Sequence, residues 1–183
     1  YSNAVSGYFH GWTHRDKKWY SIKYADATIK QDVKADKAPK PPAFAPKNGT
    51  TFHFKLDMSV FDKGSKMPLS RLKDWAELSS YLVKGFDFSV INTKGKTTKY
   101  EYKGPQAYLE KEIEKLGCES FGKPLIVTNK SFDLVLAWTK ADGNNINAYT
   151  NGLYNSEGGE HITTMRSALY KSLDKFKGKT KFN

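Results

Sequence analysis

Aromatic and β-branched residues crowd both sides of a polar break at Arg15-Asp16-Lys17, a pattern that predicts two strands and a tight turn across Tyr8 to Tyr24. The pattern then stops. From Lys34 to Asn48, Pro39, Pro41, Pro42 and Pro46 alternate with Lys and Ala, and such a run can form neither a helix nor a central strand. An extended, exposed loop is expected over 34–48. Strict alternation returns from Gly49 to Leu56, with Phe52, Phe54 and Leu56 on one face, the period of a half-buried strand.

The period then lengthens. Between Pro68 and Gly85, Leu72, Trp75, Ala76, Ser79, Leu82 and Val83 recur at three- and four-residue spacing, which predicts an amphipathic helix buried on that side. Phe86 to Ile91 and Lys96 to Lys103 read as two strands about a Thr93-Lys94-Gly95 turn. Pro105 suits the first turn of a second helix ending at Gly117, with Tyr108, Leu109, Ile113 and Leu116 inward. Pro124 to Thr128, Phe132 to Thr139 and Asn145 to Thr150 are further strands. A last helix follows Gly158-Gly159, with Ile162, Met165, Leu169, Leu173 and Phe176 on one face. Hairpins joined by isolated helices, with no internal repeat, predict an α+β fold rather than a regular βαβ series.

Composition narrows the class. The 183 residues suit one ordinary domain or parts of two, and 38% hydrophobic with 14% aromatic residues is enough to build a core. No apolar run approaches the roughly 18 to 20 residues that cross a bilayer, so no membrane partner is expected. The amino terminus lacks the succession of a secretory signal, and the lone cysteine, Cys118, has no internal disulfide partner; a reducing cytoplasmic compartment is the expectation. Thirty Lys and Arg against nineteen Asp and Glu give a formal charge of +11, a field that attracts polyanions. The lysines are spread through the chain, so the charge marks a bias toward nucleic acid and locates no site.

Candidate chemistry is sparse. Neither Cys-x-x-Cys nor His-Glu-x-x-His occurs, and His10, His14 and His53 fall in strand-like segments, so ordinary histidines are favoured over a metal site. There is no Walker A loop, nucleophile elbow or dinucleotide fingerprint, and no catalytic residue is assigned. Gly158-Gly159-Glu160-His161 offers either a place for close backbone approach and anion binding at a helix start, or a flexible helix entry with Glu160 near the positive end of the dipole. Thr50 reads equally as an ordinary strand residue, and Arg15 as a charge at a hairpin tip.

The order of these pieces carries more than each alone. Tyr149-Thr150-Asn151-Gly152-Leu153 and then Gly158-Gly159-Glu160-His161 resemble the strand, loop and glycine-glycine-x-histidine element of the transducer domain of type IIA DNA topoisomerases. Ser2-Asn3-Ala4-Val5-Ser6 resembles the end of the helix after the ATP lid in gyrase B-type proteins, and Asn48-Gly49-Thr50-Thr51-Phe52-His53-Phe54 resembles that family's glycine-threonine strand. The resemblance implies the C-terminal part of a GHKL (Bergerat) ATPase sandwich over residues 1–103, including the 34–48 loop, followed over 104–183 by the start of a ribosomal S5 domain 2-like transducer. It implies ATP as ligand, with Thr50 orienting a water at the adenine ring and Arg15 at the mouth of the nucleotide pocket. Gly158, Gly159 and His161 would form the transducer motif.

The family's catalytic glutamate, its Mg2+-binding asparagine, its adenine-binding aspartate and its glycine-rich lid have no counterpart in these residues. Ligands for Mg2+ are therefore expected outside the segment, and the segment by itself is not expected to be catalytic. Lys179-Thr180-Lys181 follows the glycine motif too closely, and in the wrong order, to match the family's γ-phosphate lysine. Both domains would be incomplete, with another stretch of polypeptide supplying the missing strands. The implied activity is passage of one duplex through another by an ATP-dependent type II topoisomerase. The implied partners are double-stranded DNA, a second ATPase subunit closing as a gate, and a DNA-cleavage subunit, in a bacterial or phage-infected cell. Two other functions fit the same residues: a non-enzymatic basic domain that stacks bases on Tyr and Trp, and a mismatch-repair or chaperone ATPase of the GHKL type, against which the glycine-glycine-x-histidine element speaks.

Overall fold

The computed structural model describes residues 2, 4–25, 28–34, 43, 48–62 and 64–176, with the backbone alone for 31–34. Asn3, nearly all of the proline-rich stretch and Lys179-Thr180-Lys181 lie outside the described residues. The chain forms two compact units, Tyr1–Met67 and Pro68–Asn183.

In the first unit, β1 (Ser6–Arg15), β2 (Lys18–Ala25), β3 (Thr28–Lys34) and β4 (Gly49–Leu56) form one antiparallel sheet in the order β3-β2-β1-β4. Asp16 and Lys17 take left-handed φ of 53° and 60°, as a two-residue hairpin turn requires, and so fix the β1–β2 register from Arg15↔Lys18 to Tyr8↔Ala25. That register sorts the side chains. His10, Trp12, Ser21 and Thr51 share one face and are buried; Phe9, Thr13, Ile22, Thr50, Phe52 and Phe54 share the other.

Here one expectation is corrected. The alternation in β4 is present, but Phe52 is 60% and Phe54 42% exposed, while Thr51 on the opposite face is buried. A period of two defines two faces and leaves open which one is covered. β3 is also a strand that the polar sequence Thr28–Lys34 did not predict; β2's free backbone edge recruits it, and Ile29 remains exposed.

The second unit opens with α1 (Leu69–Leu82), which starts after the extended Pro68 and closes with a 2.8 Å bond from the Val83 N–H to the Ser79 carbonyl. Its buried residues are Ala76, Ser79, Ser80 and Tyr81. The expected inward residues Leu72 and Trp75 are exposed, whereas the small Ala76, Ser79 and Ser80 are covered, and α1 meets α2 (Gly104–Lys115) through Glu77 with Lys111 and Tyr81 with Tyr108. Between these helices, β5 (Phe88–Ile91) and β6 (Thr97–Tyr100) make a hairpin in which the Asn92 carboxamide oxygen accepts from the Lys94 and Lys96 N–H groups, both at 2.9 Å.

β7 (Ser120–Thr128) pairs with β8 (Asp133–Thr139) and begins four residues before the expected Pro124. The register slips between Phe121 and Leu125, and the proline falls within that slip, where its missing N–H breaks no ladder bond. β9 (Tyr149–Thr150) and β10 (Leu153–Tyr154) form a small hairpin leading into α3 (Glu160–Asp174). Ile162, Met165 and Leu169 of α3 are half-buried, but Leu173 and Phe176 are exposed, as is Leu116 after α2. Among the described residues the buried hydrophobic side chains are Trp12, Ala76 and Tyr81, and no helix is long and apolar enough to cross a membrane.

Candidate functional site

The open face of the first unit's sheet carries the polar groups that the sequence singled out. Thr50, second in β4, lies directly opposite Thr13 of β1, and their hydroxyl oxygens are 3.1 Å apart. Thr13 Oγ1 also reaches the Gly49 carbonyl at 3.5 Å. Arg15 is two residues beyond Thr13 and therefore on the same side, where its Nε pairs with the Asp16 carboxylate at 3.3 Å. Next along β4 stand Phe52 and Phe54, with Phe9 beside them; the Phe9 and Phe52 rings lie 5.5 Å apart.

The arrangement is an aromatic floor with two hydroxyls and a guanidinium at one end. Gly11 leaves the middle of that floor flat, since a β-carbon there would come within 3.3 Å of the Phe52 ring. Such a surface can receive a planar ring by apolar contact and orient it through hydroxyls that both donate and accept. Thr13 was not among the sequence candidates. It becomes visible only with the β1–β4 register, because its partner is 37 positions away.

The buried face of the same sheet holds His10. Its ring stacks on Trp12 with centroids 3.6 Å apart, its Nδ1 is 3.0 Å from the Tyr8 hydroxyl, and its Nε2 is buried without a hydrogen-bond partner. Burial, the Lys23 charge and the nearby His53 hold His10 below the usual histidine range.

In the second unit the glycine-glycine-x-histidine element is a closed local structure. Asn151 and Gly152, with φ of 51° and 78°, make the two-residue turn between β9 and β10, an Asn-Gly signal in the sequence that predicts this hairpin. Asn155 then bonds through its N–H to the Ala148 carbonyl and through Nδ2 to Thr150 Oγ1 at 2.8 Å, and Nδ2 sits 3.3 Å from His161 Nε2. His161 folds back over Gly159, whose φ is 153°; a β-carbon there would come within 2.7 Å of the imidazole. Both backbone and ring therefore require glycine. Gly158, Gly159, Ile162, Thr163 and Arg166 line a cleft of about 340 Å³ at the start of α3.

A second polar cluster joins α1, α2 and β9. The hydroxyls of Tyr108 and Tyr149 meet at 2.8 Å, the Tyr108 ring lies 5.7 Å from that of Tyr81, and Lys111 pairs with Glu77 beside them. Burial raises both Tyr108 and Tyr149 above the usual phenol range, whereas the hydrogen bond from Lys111 lowers Glu77. These groups brace one element against another. Among the described residues no three His, Cys, Asp or Glu side chains converge as a metal site.

Comparison with known proteins places the chain. The family model described as DNA gyrase B matches residues 88–183. The DNA gyrase B protein of Archaeoglobus fulgidus is 24% identical over 182 residues, which are 95% of this chain and 28% of that protein. The chain thus spans under a third of that relative's length. Among solved structures, DNA gyrase B from Myxococcus xanthus superposes with a TM-score of 0.77 at 17% identity, covering 97% of this chain and 52% of the other. The 43K ATPase domain of Thermus thermophilus gyrase B, solved in complex with an aminocoumarin, gives 0.73 at 21% identity, covering 99% and 50%. These likenesses show that the α+β fold is that of gyrase B ATPase and transducer structures.

Proposed function

This chain belongs to the DNA gyrase B family, and from that premise we propose that it forms part of the ATP-binding, energy-transducing module of a type II topoisomerase that passes one DNA duplex through another. The observation that carries the reading is the open aromatic face of the first unit, with the Thr50 and Thr13 hydroxyls and Arg15 at one end. It has the makings of the base end of a nucleotide site. Phe9, Phe52 and Phe54 would meet the adenine ring, Thr50 would orient a water against its polar edge, and Arg15 would stand at the mouth. Polypeptide beyond these 183 residues would supply the phosphate lid and the groups that hold Mg2+, which when bound would offset charge on the phosphates.

In this reading residues 1–103 contribute to the ATPase domain and residues 104–183 to the transducer. The Gly158, Gly159 and His161 element sets the geometry of the α3 start. Duplex DNA, a second copy of the protein and a DNA-cleavage region are the proposed partners, in the cytoplasm of a bacterial or phage-infected cell. The charge of +11 supports a nucleic-acid partner. Family membership favours this reading over a stand-alone basic nucleic-acid-binding domain.

The test is Thr50→Ala in the complete protein. Loss of one water-mediated hydrogen bond is expected to weaken binding of a non-hydrolysable ATP analogue about threefold to tenfold, read by equilibrium titration. Unchanged affinity removes Thr50 from the site.

A further inference from the structure

The chain contains two Asn-Gly pairs, Asn48-Gly49 and Asn151-Gly152, and the fold holds them differently. At such a pair the backbone nitrogen of the glycine can close a ring on the asparagine side chain, since the glycine has no β-carbon to crowd the approach. Closure is slowed by a hydrogen bond that fixes the carboxamide and by strand pairing that fixes the glycine.

Asn48 has both restraints. Its Oδ1 lies 3.0 Å from His14 Nδ1, and Gly49 opens β4, a strand of 8 residues paired along β1 from His14↔Gly49 onward. Asn151 has neither. It is exposed, and among the described residues no hydrogen bond engages its side chain and the Gly152 N–H donates to no backbone carbonyl. Both residues sit at the tip of the β9–β10 hairpin, whose strands are 2 residues each, with the pairs Leu153↔Thr150 and Tyr154↔Tyr149. So short a ladder opens at small cost, releases the left-handed turn and lets the nitrogen reach the side chain.

We propose that Asn151 is a site of spontaneous deamidation whose product loosens the entry to α3. The Gly152 nitrogen bonds to Asn151 Cγ, the Cγ–Nδ2 bond breaks, and Nδ2 departs as ammonia carrying the proton that the Gly152 nitrogen gives up. Water then opens the cyclic imide at either carbonyl and leaves aspartate or isoaspartate. The net change is water gained, ammonia lost and a negative charge added. Isoaspartate routes the main chain through Cβ and Cγ, a longer path that the two-residue turn does not accommodate. β9 then shifts against β10, and the contacts of Asn155 with Thr150 and His161 part. None of this chemistry depends on the nucleotide site.

The test ages the complete protein at mildly alkaline pH and follows its peptides by mass spectrometry. Fragment ions should place a gain of about one mass unit at Asn151 about threefold to tenfold faster than at Asn48. In urea both pairs lose their surroundings and should react at similar rates. The isoaspartate form, once isolated, should exchange the amide hydrogens of Asn155 and Gly158 faster than the unmodified form, because the bonds they make to the Ala148 and Asn155 carbonyls are weakened. Equal rates at Asn151 and Asn48 in the folded protein, or a preference for Asn151 that persists in urea, overturns the selection of this site by the fold. Unaltered exchange at Asn155 and Gly158 overturns the loosening.

Discussion

His10 shows how much a single side chain depends on its surroundings. The ring stacks on Trp12, touches the Tyr8 hydroxyl through Nδ1, and buries Nε2 with no partner. Burial disfavours a charged ring, and an added proton would also stand beside Lys23 and His53, which is why the folded-state pKa is lowered from 6.5. The unfolded chain then binds more protons than the folded one between that lowered value and about 6.5. Stability should therefore rise with pH through this window and be lost as pH falls back through it. Denaturant midpoints taken between about pH 7 and pH 5 should drop in the native chain, and more shallowly in His10→Gln; parallel slopes would exonerate His10. In the sequence this histidine was an ordinary strand position, since the groups that surround it come from β1, β2 and β4 together.

Elements were more legible than residues. All three helices, the β1–β2 and β5–β6 hairpins and β8 stand close to where the hydrophobic periods put them, because those periods reflect backbone geometry that each segment adopts locally. What failed was the choice of partner: α1 turns Ala76, Ser79 and Ser80 inward while Trp75 stays 55% exposed. The bracing of α2 against β9 was equally invisible, since Tyr108 and Tyr149 are separated by 41 positions. It makes a prediction at this scale. Tyr108→Phe or Tyr149→Phe should each destabilise the chain by about 1–3 kcal/mol, because a part-buried hydroxyl is left alone, whereas the double substitution should cost about 1 kcal/mol or less. Chemical denaturation of the three variants reads this directly; a double variant as weak as the sum of the singles contradicts it.

For the whole molecule, the balance of covered and uncovered apolar surface matters most. Among the described residues 22 large hydrophobic side chains are exposed, against Trp12, Ala76 and Tyr81 buried, which is far from the ratio of a self-sufficient domain. The chain by itself should bind a hydrophobic fluorescent dye strongly and self-associate, and the complete protein should do so much less. Weak dye binding by the isolated chain would mean that these faces are covered in some other way. Thr50, Arg15 and the glycine-glycine-x-histidine element could be singled out as candidates in the sequence because motifs of consecutive residues survive in one dimension. The same holds for the α+β class, the hairpin turns and the alternating faces of β4, which follow from backbone sterics and side-chain period. Only the tertiary structure decided that the Phe52 and Phe54 face stays open, that the Thr13 hydroxyl meets that of Thr50, and that α1 buries its small residues. Each depends on which distant segments share a register or a contact, and a hydrophobic pattern offers a face without choosing what will cover it.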